Sequence, residues 1–430
     1  MKTATSTDGA TTGAPGRSGW RHAAYLLASG SSQAAVAFAS NLVLARHIAP
    51  EGFGDFALTL ATLTLVYAFA SLRPGALVIR EGRRCGPERR AFLWNACLQE
   101  SLFLGAASAV VLFVSGASAF AWSLWLSVWL AHFVAQARGF LERDQAYGAL
   151  SLVESGTHVA AHGAAVVAAL LGAGIWALPL REVLLGATRI GALALAGGLP
   201  RDRFAWLAPR DWRALAKDAK DLWSDGLLES LHARTIVLVA GWIGGVRGAG
   251  LFFQANRLAQ VPHQFLQPVA GRLSFNWFAR ADSAAERDAQ RRRLLLFLAA
   301  PLVAATAGCL FLADPLVPWL LGERWSEAAP LLASLALVAG GTSLLALAKM
   351  ELLATSRLRA LLGLRVAQFA GLAAVPLLLW FAPELGVRAL GVGLGAGIVL
   401  ALAVARIARR GRTGRARSEE PTGAGARRAA

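Results

Sequence analysis

The chain has 430 residues, of which 56% are apolar and only 16% are charged. Charged residues make up about 25% of an ordinary soluble domain, so this composition excludes that class. The formal charge of +17, from 43 Lys and Arg against 26 Asp and Glu, would suggest a nucleic-acid partner in a soluble chain. In a membrane protein the same excess is expected from cytoplasmic loops rich in Lys and Arg, and no nucleic-acid partner is predicted.

Apolar runs of about 20 residues, long enough to cross a bilayer, recur along the chain between short Arg-rich or Gly-rich breaks. The first six predicted spans are 22–45, 56–79, 91–114, 118–137, 149–171 and 174–197. Six more are predicted at 221–243, 249–275, 294–313, 329–352, 359–382 and 386–407. The sequence therefore predicts an all-α, polytopic membrane protein with about 12 transmembrane helices in two six-helix bundles.

The breaks between these runs predict five segments. Residues 1–19 form a cytoplasmic N-terminus that is polar and aperiodic, and therefore predicted to be disordered. The N-terminal bundle covers residues 20–197, and a cytoplasmic linker at 198–220 is too rich in Arg and Lys to lie in hydrocarbon. The C-terminal bundle covers residues 221–408, and the basic cytoplasmic tail, 409–430, is also predicted to be disordered.

Basic residues are distributed unevenly over the predicted loops. On one side of the membrane the loops contain only Arg46, Arg247, Arg324 and Arg388. The loops on the other side, where both termini lie, contain most of the remaining Lys and Arg. Because Lys and Arg collect on the cytoplasmic side, both termini are predicted to be cytoplasmic.

Several kinds of catalytic or cofactor site are absent from the sequence. The three cysteines, Cys85, Cys97 and Cys309, have no CxxC spacing, which argues against a disulfide framework and a zinc site. There is no G-x-x-x-x-G-K-[ST] loop for ATP, no G-x-S-x-G elbow and no HExxH helix. A membrane-bound glycan polymerase or ligase would need catalytic residues in an outer loop, and the predicted outer loops are short. The sequence predicts no cofactor and no enzyme activity.

A short motif occurs at the same relative place in each predicted bundle. Gly52-Phe53-Gly54-Asp55-Phe56 follows the first span, and Gly248-Ala249-Gly250-Leu251-Phe252 follows the seventh, so both read G-x-G-x-F. Two sets of six spans in the same orientation indicate a parallel duplication about an axis along the membrane normal. In such transporters the substrate cavity lies between the two halves.

Charged residues inside the predicted spans are numerous, and cations outnumber anions. On insertion scales each costs about 2.5 to 3.5 kcal/mol at the bilayer centre, so it normally faces a cavity or a partner. The cations are Arg181, Arg189, Arg234, Arg257, Arg272, Lys349 and Arg365, and the anions are Glu100, Glu154, Glu182, Glu229 and Glu351. Ion pairs and snorkelling account for some of them. Pairing cannot neutralise the whole set, which predicts a net cationic cavity.

The eighth predicted span carries a polar stripe. Its members fall within about 140° of one another on a helix of 3.6 residues per turn; they are Gln254, Arg257, Gln260, Gln264 and Gln267. Pro262 and Pro268 would bend this helix, which suits an element that lines a cavity and moves. A helix cross-linked to its neighbours by amide hydrogen bonds is the alternative.

Two clusters of ionisable residues are candidates for ion coupling. Glu154, His158 and His162 recur at i, i+4 and i+8 in the fifth span and so share one helical face. They could form a proton relay, bind a metal or simply cross-link neighbouring helices. Glu229, His232 and Arg234 form a second cluster in the seventh span.

The residues after the first span resemble a known family. The stretch Leu44-Ala45-Arg46-His47-Ile48-Ala49-Pro50-Glu51-Gly52-Phe53-Gly54-Asp55-Phe56-Ala57 is similar to the post-span motif of the polysaccharide transporters, or oligosaccharide flippases, the Wzx-like branch of the MOP superfamily. Gly250 to Pro268, Leu320 to Leu332 and Gly75 to Arg80 resemble further stretches of that family in the same order. The resemblance covers roughly residues 20 to 408.

This resemblance implies an alternating-access transporter in the bacterial inner membrane. It would turn a lipid-diphosphate-linked oligosaccharide, such as an undecaprenyl-diphosphate-linked one, from the cytoplasmic to the periplasmic leaflet for surface polysaccharide biosynthesis. Partners would be membrane lipids, a polysaccharide polymerase and glycosyltransferases. Since Arg bonds well to phosphate, the predicted phosphate-binding residues are Arg181, Arg189, Arg234, Arg257 and Arg365. The candidates for the glycan are Gln254, Gln260, Gln264 and Asn41, and those for ion coupling are Glu100, Glu154, His158 and Glu229.

One rival function remains open within the same superfamily. A MATE-like antiporter of drugs or metabolites, driven by protons or sodium, would also have about twelve spans and buried carboxylates. A cavity for cationic drugs should be net acidic, however, and the cavity predicted here is net basic.

Overall fold

The computed structural model describes residues 17–144, 146–197, 199–200, 202–281 and 283–418. These residues form helices joined by short turns, and no β-strand occurs among them. The fold is all-α, as the sequence predicts. Large apolar side chains on the outer surface are exposed, including Phe113 at 78% and Leu195 at 92%. Such exposure is expected where lipid, rather than water, covers a protein surface.

The first half of the chain contains seven helices. They are α1 (Arg17–His47), α2 (Pro50–Ala70), α3 (Pro74–Glu81), α4 (Pro87–Val114), α5 (Ala119–Arg143), α6 (Tyr147–Leu170) and α7 (Ala177–Leu195). Proline begins α2, α3 and α4, where the missing N–H costs nothing because the first helical N–H groups have no intrahelical partner.

The second half begins with a long helix. The helices are α8 (Pro209–Gln267), α9 (Ser274–Arg280), α10 (Ala284–Phe311), α11 (Ala313–Leu321), α12 (Ala329–Ser334), α13 (Ala336–Ala354), α14 (Leu358–Ala373), α15 (Val375–Phe381) and α16 (Arg388–Ser418). Gly245 interrupts α8 with φ 62° and ψ −165°, so α8 consists of two helical parts on either side of a kink. A π-helical turn at Pro268–Leu273 joins α8 to α9.

Eight helical segments of the described chain are long and apolar enough to cross a membrane. They are α2, α4, α5, α8, α10, α13, the α14–α15 pair and the first part of α16. The protein is therefore a multi-pass membrane protein. A total of about twelve crossings remains a prediction, and α1, α6, α7 and the second part of α8 are the candidates for the others.

Some predicted boundaries differ from the observed helices. The predicted span 56–79 runs through the break between α2 and α3, because the apolar pattern continues past it. Of the predicted linker, residues from Pro209 onward are already in α8. Of the segments predicted to be disordered, Arg17 onward belongs to α1 and residues up to Ser418 belong to α16, while residues 1–16 and 419–430 lie outside the described part of the chain.

The extended segment before α8 is bonded to α4 by two buried amide side chains. Asn95 accepts from the backbone N–H of Ala205 at 3.0 Å, and Gln99 accepts from the N–H of Leu207 at 3.1 Å. The Gln99 amide also donates to the Ala205 carbonyl at 2.8 Å. These bonds satisfy the backbone N–H and C=O of Ala205 and the N–H of Leu207, and they hold the segment against the first half.

The first turns of α8 pack into the core of the first half. Leu215 and Ala219 are fully buried in a cluster that otherwise contains only buried residues of α3 to α7 and the turn after α3. Asp218 accepts a charged hydrogen bond from Arg89 at 2.7 Å, and Trp223 donates to the Phe69 carbonyl at 3.0 Å. Packing therefore assigns these turns of α8 to the first half, although the sequence predicts residues up to 220 as a linker between the two bundles.

The two copies of the G-x-G-x-F motif lie against each other where the start of α2 packs on α8 near Gly245. A Cβ added to Gly54 would overlap the Val246 carbonyl, and one added to Gly250 would overlap the Pro50 carbonyl. Neither overlap can be relieved by a side-chain rotation, because the atoms met belong to the backbone. Glycine at these two positions allows the two helices to approach with their backbones in contact.

Candidate functional site

Where α2 meets α8, aromatic residues close one end of the molecule; we call this region, centred on Phe53, Phe253 and Trp325, the closed end. The Phe53 ring lies 6.4 Å from that of Phe253, nearly parallel, and 5.5 Å from that of Trp325 in an edge-on arrangement. Trp325 is fully buried and donates from Nε1 to the Ala45 carbonyl at 2.8 Å. Residues of both halves thus seal this end with apolar contacts.

Arg247 links three chain segments on the surface of the closed end. It donates to a carboxylate oxygen of Glu51, at the start of α2, and to both carboxylate oxygens of Glu327, at 2.8 and 3.2 Å. All three side chains are about half exposed, so each pair contributes about 1 kcal/mol or less. The hydrogen bonds from Arg247 hold the pKa of Glu327 below its ordinary value, because they favour the charged carboxylate.

We expect Glu327 to stabilise the closed end only above acidic pH. A carboxylate with a lowered pKa contributes fully above its ordinary pKa of about 4.5 and loses that contribution as the pH falls through the lowered value. Thermal unfolding of Glu327→Gln should therefore begin slightly below that of the wild type at pH 7, and the difference should shrink below about pH 4.5. A difference that stays constant across this range would contradict the role of the pair.

A cavity of about 550 Å³ lies away from the closed end, beside the C-terminal half of α2 and the N-terminal part of α8. Its wall comes from α2, α3, α5, α7 and the first part of α8, so it lies between the first half and the start of the second. Residues at the C-terminal ends of α2 and α5 line it, including Ser71, Arg138 and Glu142. The cavity therefore reaches the ends of the helices at the side remote from the closed end.

Of the predicted phosphate-binding residues, Arg234 lies in the wall of this cavity. Its guanidinium is half buried and forms no ion pair with any described residue. An acidic residue, Glu182, lies in the same wall as Arg234. Arg234 is thus a cation that faces an open space and has no carboxylate within ion-pair distance in the described part of the chain; Glu182 is near enough to attract it but is hydrogen-bonded to Arg181.

Arg181 lies behind this wall and is 4% exposed. Two of its nitrogens donate to one oxygen of Glu182, at 2.9 and 2.7 Å, and its guanidinium lies 5.7 Å from the centre of the Phe56 ring. Its Nη1 has no hydrogen-bond partner among the described residues. Arg257, close enough for the two charges to repel, donates to the Ala37 carbonyl at 3.4 Å. Within the described chain, Arg181 and Arg257 therefore share a single nearby carboxylate, that of Glu182.

A second, smaller space of about 120 Å³ lies beside the first, between α5, α6 and α7. Arg138 pairs there with Glu154 at 3.1 Å, and Arg189 lies 3.3 Å from Nδ1 of His158. The rings of His158 and His162 stack at 4.4 Å, so the predicted helical stripe is present. No group of three or more potential metal ligands occurs among the described residues.

Other predicted site residues lie away from the cavity wall. The buried amides of Asn41 and Gln254 bond to each other at 2.8 Å, which is the cross-linking arrangement that the sequence left open. Gln260 is half buried and Gln264 exposed, and neither lines the cavity. Arg365 lies 3.4 Å from Glu229, so these two candidates form an ion pair between α14 and α8.

Glu100 is the centre of a buried hydrogen-bond network behind the cavity. Its carboxylate accepts from the Ser71 hydroxyl at 2.6 Å, from the Leu72 N–H at 2.8 Å and from the Gln136 amide at 3.3 Å. His132 Nε2 lies 3.3 Å from the same carboxylate. These contacts join α4 and α5 to the break between α2 and α3, and they satisfy backbone groups that the break leaves without helical partners.

Sequence reasoning missed several residues in the cavity wall. Arg73, Arg138, Tyr67 and His132 line the cavity, and none of them is among the binding residues predicted from the sequence. Pro74 gave a usable signal for Arg73, since a proline inside an apolar run usually ends a helix just before it. His132 gave no such signal, because a single histidine in an apolar helix does not show what it faces.

Comparison with known proteins identifies the class of this molecule. A family model described as "Polysaccharide biosynthesis protein" matches residues 43–330, well over half of the chain. The chain belongs to this family. It is 28% identical over 178 residues to the succinoglycan biosynthesis transport protein ExoT of Rhizobium meliloti (strain 1021). That match covers 41% of this chain and 35% of the relative, so the chain aligns with about a third of the length of this curated protein.

Solved structures of MOP superfamily transporters share the fold of this family member. An inward-facing MATE multidrug resistance transporter has a TM-score of 0.64 at 15% identity, covering 89% of this chain and 95% of its own. The lipid II flippase MurJ has a TM-score of 0.61 at 12% identity, covering 91% of this chain and 87% of its own. At such identities the likeness shows the fold alone. The predictions of an all-α membrane protein with a MOP-type fold and of a member of a polysaccharide biosynthesis family are confirmed.

Proposed function

We propose that this transporter turns a lipid-diphosphate-linked oligosaccharide from the cytoplasmic to the periplasmic leaflet for surface polysaccharide biosynthesis. The observation that carries the proposal is Arg234, an unpaired cation in the wall of the 550 Å³ cavity. A diphosphate is an anion that guanidinium groups bind through charge-assisted hydrogen bonds. Family membership in polysaccharide biosynthesis supports a saccharide as the rest of the substrate.

The cavity suits the polar part of such a lipid. Its volume lies within the range of about 300 to 1,000 Å³ that is typical of small-molecule sites. Hydroxyl and amide side chains share the wall with Arg234, among them Thr64, Tyr67, Ser127 and Gln136. These groups can exchange hydrogen bonds with sugar hydroxyls, while the phosphates take the cation. We therefore place the diphosphate and the nearest sugars in the cavity and the polyprenyl chain in the surrounding lipid.

Alternating access follows from the contrast between the two ends of the molecule. The closed end is sealed by Phe53, Phe253 and Trp325, whereas the cavity reaches the opposite ends of the helices. With both termini in the cytoplasm, as the loop charges predict, the cavity faces the cytoplasm in this structure. Transport would then require the closed end to part and the cavity to close on the cytoplasmic side.

The remaining parts of the proposal come from the sequence. The protein would lie in the bacterial inner membrane, and an undecaprenyl-diphosphate-linked oligosaccharide would be its substrate. A polysaccharide polymerase and glycosyltransferases would act after and before it. Coupling to an ion gradient, if transport uses one, would involve Glu100, Glu154, His158 or Glu229, each of which has a polar or charged neighbour in the structure.

The proposal is tested by the lipid-linked oligosaccharide content of cells. Deleting the gene should cause lipid-linked, unpolymerised repeat units to accumulate, and wild-type protein should reverse this. Arg234→Gln should restore less than about a tenth of the wild-type activity, because a charge-assisted hydrogen bond to phosphate contributes about 1.5 to 3 kcal/mol. Arg292→Gln, which removes an exposed cation of α10, is the control and should restore full activity.

An unchanged lipid pool after deletion, in a strain with no second flippase, would overturn the proposal. The working function would then be the MATE-like antiporter of drugs or metabolites. In that case removing the buried charge of Arg257 should improve transport of a cationic drug, whereas the flippase reading predicts that it impairs transport of the lipid.

A further inference from the structure

We propose that Arg73 binds the diphosphate of the substrate at the cytoplasmic mouth of the cavity, together with Arg234 deeper inside. The proposal rests on the proposed function, because it takes the lipid diphosphate as the ligand. Arg73 lines the cavity at the break between α2 and α3, where loop residues rather than a helix form the wall. Its backbone, its side chain and its lack of a carboxylate partner all support this role.

The chain holds Arg73 in a strained backbone conformation. Arg73 lies in the left-handed region, with φ 58° and ψ 50°, which is sterically unfavourable for a residue other than glycine. Pro74 follows it and begins α3, which disfavours an ordinary helical conformation at Arg73. Glu100 bonds to Ser71 and Leu72 just before it, and Gln136 accepts from the Gly75 N–H at 2.7 Å just after it. The surrounding network therefore fixes where this side chain begins.

The guanidinium of Arg73 crosses to the second half and lies over Gly226 of α8. A Cβ added to Gly226 would overlap Nη1 of Arg73, so the side chain occupies space that any other residue at position 226 would fill. Nη2 lies 3.5 Å from the Ser230 hydroxyl. Gly226, Ser230 and Arg234 recur every four residues and so form one stripe along the face of α8. Arg73 thus lies on the same stripe as the proposed phosphate-binding Arg234.

Arg73 forms no ion pair within the described part of the chain. Two nearby acids of α8, Asp225 and Glu229, face Arg365 instead, at 3.8 and 3.4 Å. A half-buried guanidinium with a single hydroxyl contact has donors to spare, since Arg carries five N–H groups. Along α8 the stripe from Gly226 to Arg234 is about 12 Å long, at 1.5 Å per residue. Two cations spread over this distance can hold the two phosphates of one lipid or receive them in turn.

Glycine 226 offers a way to move the cation without removing its charge. Gly226→Ala would force the Arg73 guanidinium off α8, and the flexible side chain can yield without moving the backbone. Alanine is also a better helix former than glycine, so α8 should remain stable. If Arg73 has only a structural role, displacing its guanidinium in this way should leave anion binding unaffected.

Calorimetric titration of the purified, full-length protein in detergent tests the proposal, with farnesyl diphosphate and inorganic pyrophosphate as probes. Arg73→Gln should weaken farnesyl diphosphate binding about tenfold or more, and Arg73→Lys should recover part of the loss. Gly226→Ala should weaken binding by a similar factor, and combining it with Arg73→Gln should add little further loss. The matched control is Arg84→Gln, which removes an exposed cation outside the cavity wall. Thermal unfolding of each variant verifies that it is folded.

The outcomes separate this inference from the proposed function. Wild-type binding that Arg73→Gln leaves unchanged would overturn the role of Arg73 and leave the flippase proposal standing. A loss confined to inorganic pyrophosphate would assign Arg73 to a free anion and overturn its role toward the lipid. If the wild type binds neither probe, both the proposed function and the role of Arg73 fail.

Discussion

Adding a methyl group at both Gly54 and Gly250 is expected to reduce transport at least tenfold. The new Cβ atoms of Gly54→Ala and Gly250→Ala would overlap the carbonyls of Val246 and Pro50, so α2 and α8 would have to move apart. Overpacking a well-packed interior costs about 1 to 3 kcal/mol per site, and here the atoms in the way belong to the backbone. Two such changes cost about 2 to 6 kcal/mol in the closed state, and since about 1.4 kcal/mol is a factor of ten, they should lower its population relative to the open state at least tenfold.

The opening can be measured as a distance. Spin labels at Ser115, in the turn between α4 and α5, and at Arg324, in the turn before α12, report on the separation of the two halves at the closed end, and both sites are exposed. The double variant should shift the distance distribution to longer values and should fail to restore polysaccharide production in the deletion strain. Gly156→Ala and Gly191→Ala, where nothing lies within 4 Å of the added carbon, should behave as wild type. A double variant with the wild-type distance would refute the close approach.

Removing the Trp325 side chain should give the largest loss of stability of any single truncation at the closed end. Trp325→Ala deletes a fully buried indole that packs on Phe53, and such truncations cost about 3 to 5 kcal/mol. Trp325→Phe keeps an aromatic ring but loses the hydrogen bond to the Ala45 carbonyl, which is worth about 1 kcal/mol. The midpoint of thermal unfolding in detergent should fall in the order wild type, Trp325→Phe, Trp325→Ala.

A tryptophan elsewhere in the chain provides the control. Trp380 is 82% exposed on α15, so Trp380→Ala removes the same atoms without leaving an internal cavity. Its unfolding midpoint in detergent should stay close to that of the wild type. Equal losses for Trp325→Ala and Trp380→Ala would show that burial at the closed end does not determine the stability of the fold.

The duplicated glycine motif shows how far sequence reasoning reached. The sequence revealed two copies of G-x-G-x-F at matching positions, and it predicted a membrane protein of two related halves. It could not show that the copies touch, because a repeat in sequence does not state which helices cross. The backbone contacts of Gly54 and Gly250 explain why glycine is needed at both places. From the sequence alone, these glycines could equally reflect the ordinary preference for glycine at helix ends.

The charged residues show where sequence reasoning stopped. Their types and their excess of positive charge could be read directly, but their partners depend on helix rotation and on which helices are neighbours. Arg234 and Arg365 looked equivalent in sequence, yet Arg234 faces the cavity and Arg365 faces Glu229. The sequence did not single out Arg73 because the apolar run continues beyond the end of α2. Hydropathy does not reveal this helix break, whose polar groups at Ser71 and Leu72 are hydrogen-bonded to Glu100.

The packing of α8 means that one helical element is anchored in both halves of the molecule. The extended segment before it is tied to Asn95 and Gln99, and its first turns are buried with α3 to α7, while its second part meets the closed end. Neither half is therefore a self-contained body that can rock past the other. Any relative motion of the two halves has to bend α8 between these two anchorages. Gly245 lies between them, and it is the residue of α8 whose backbone is already outside helical geometry.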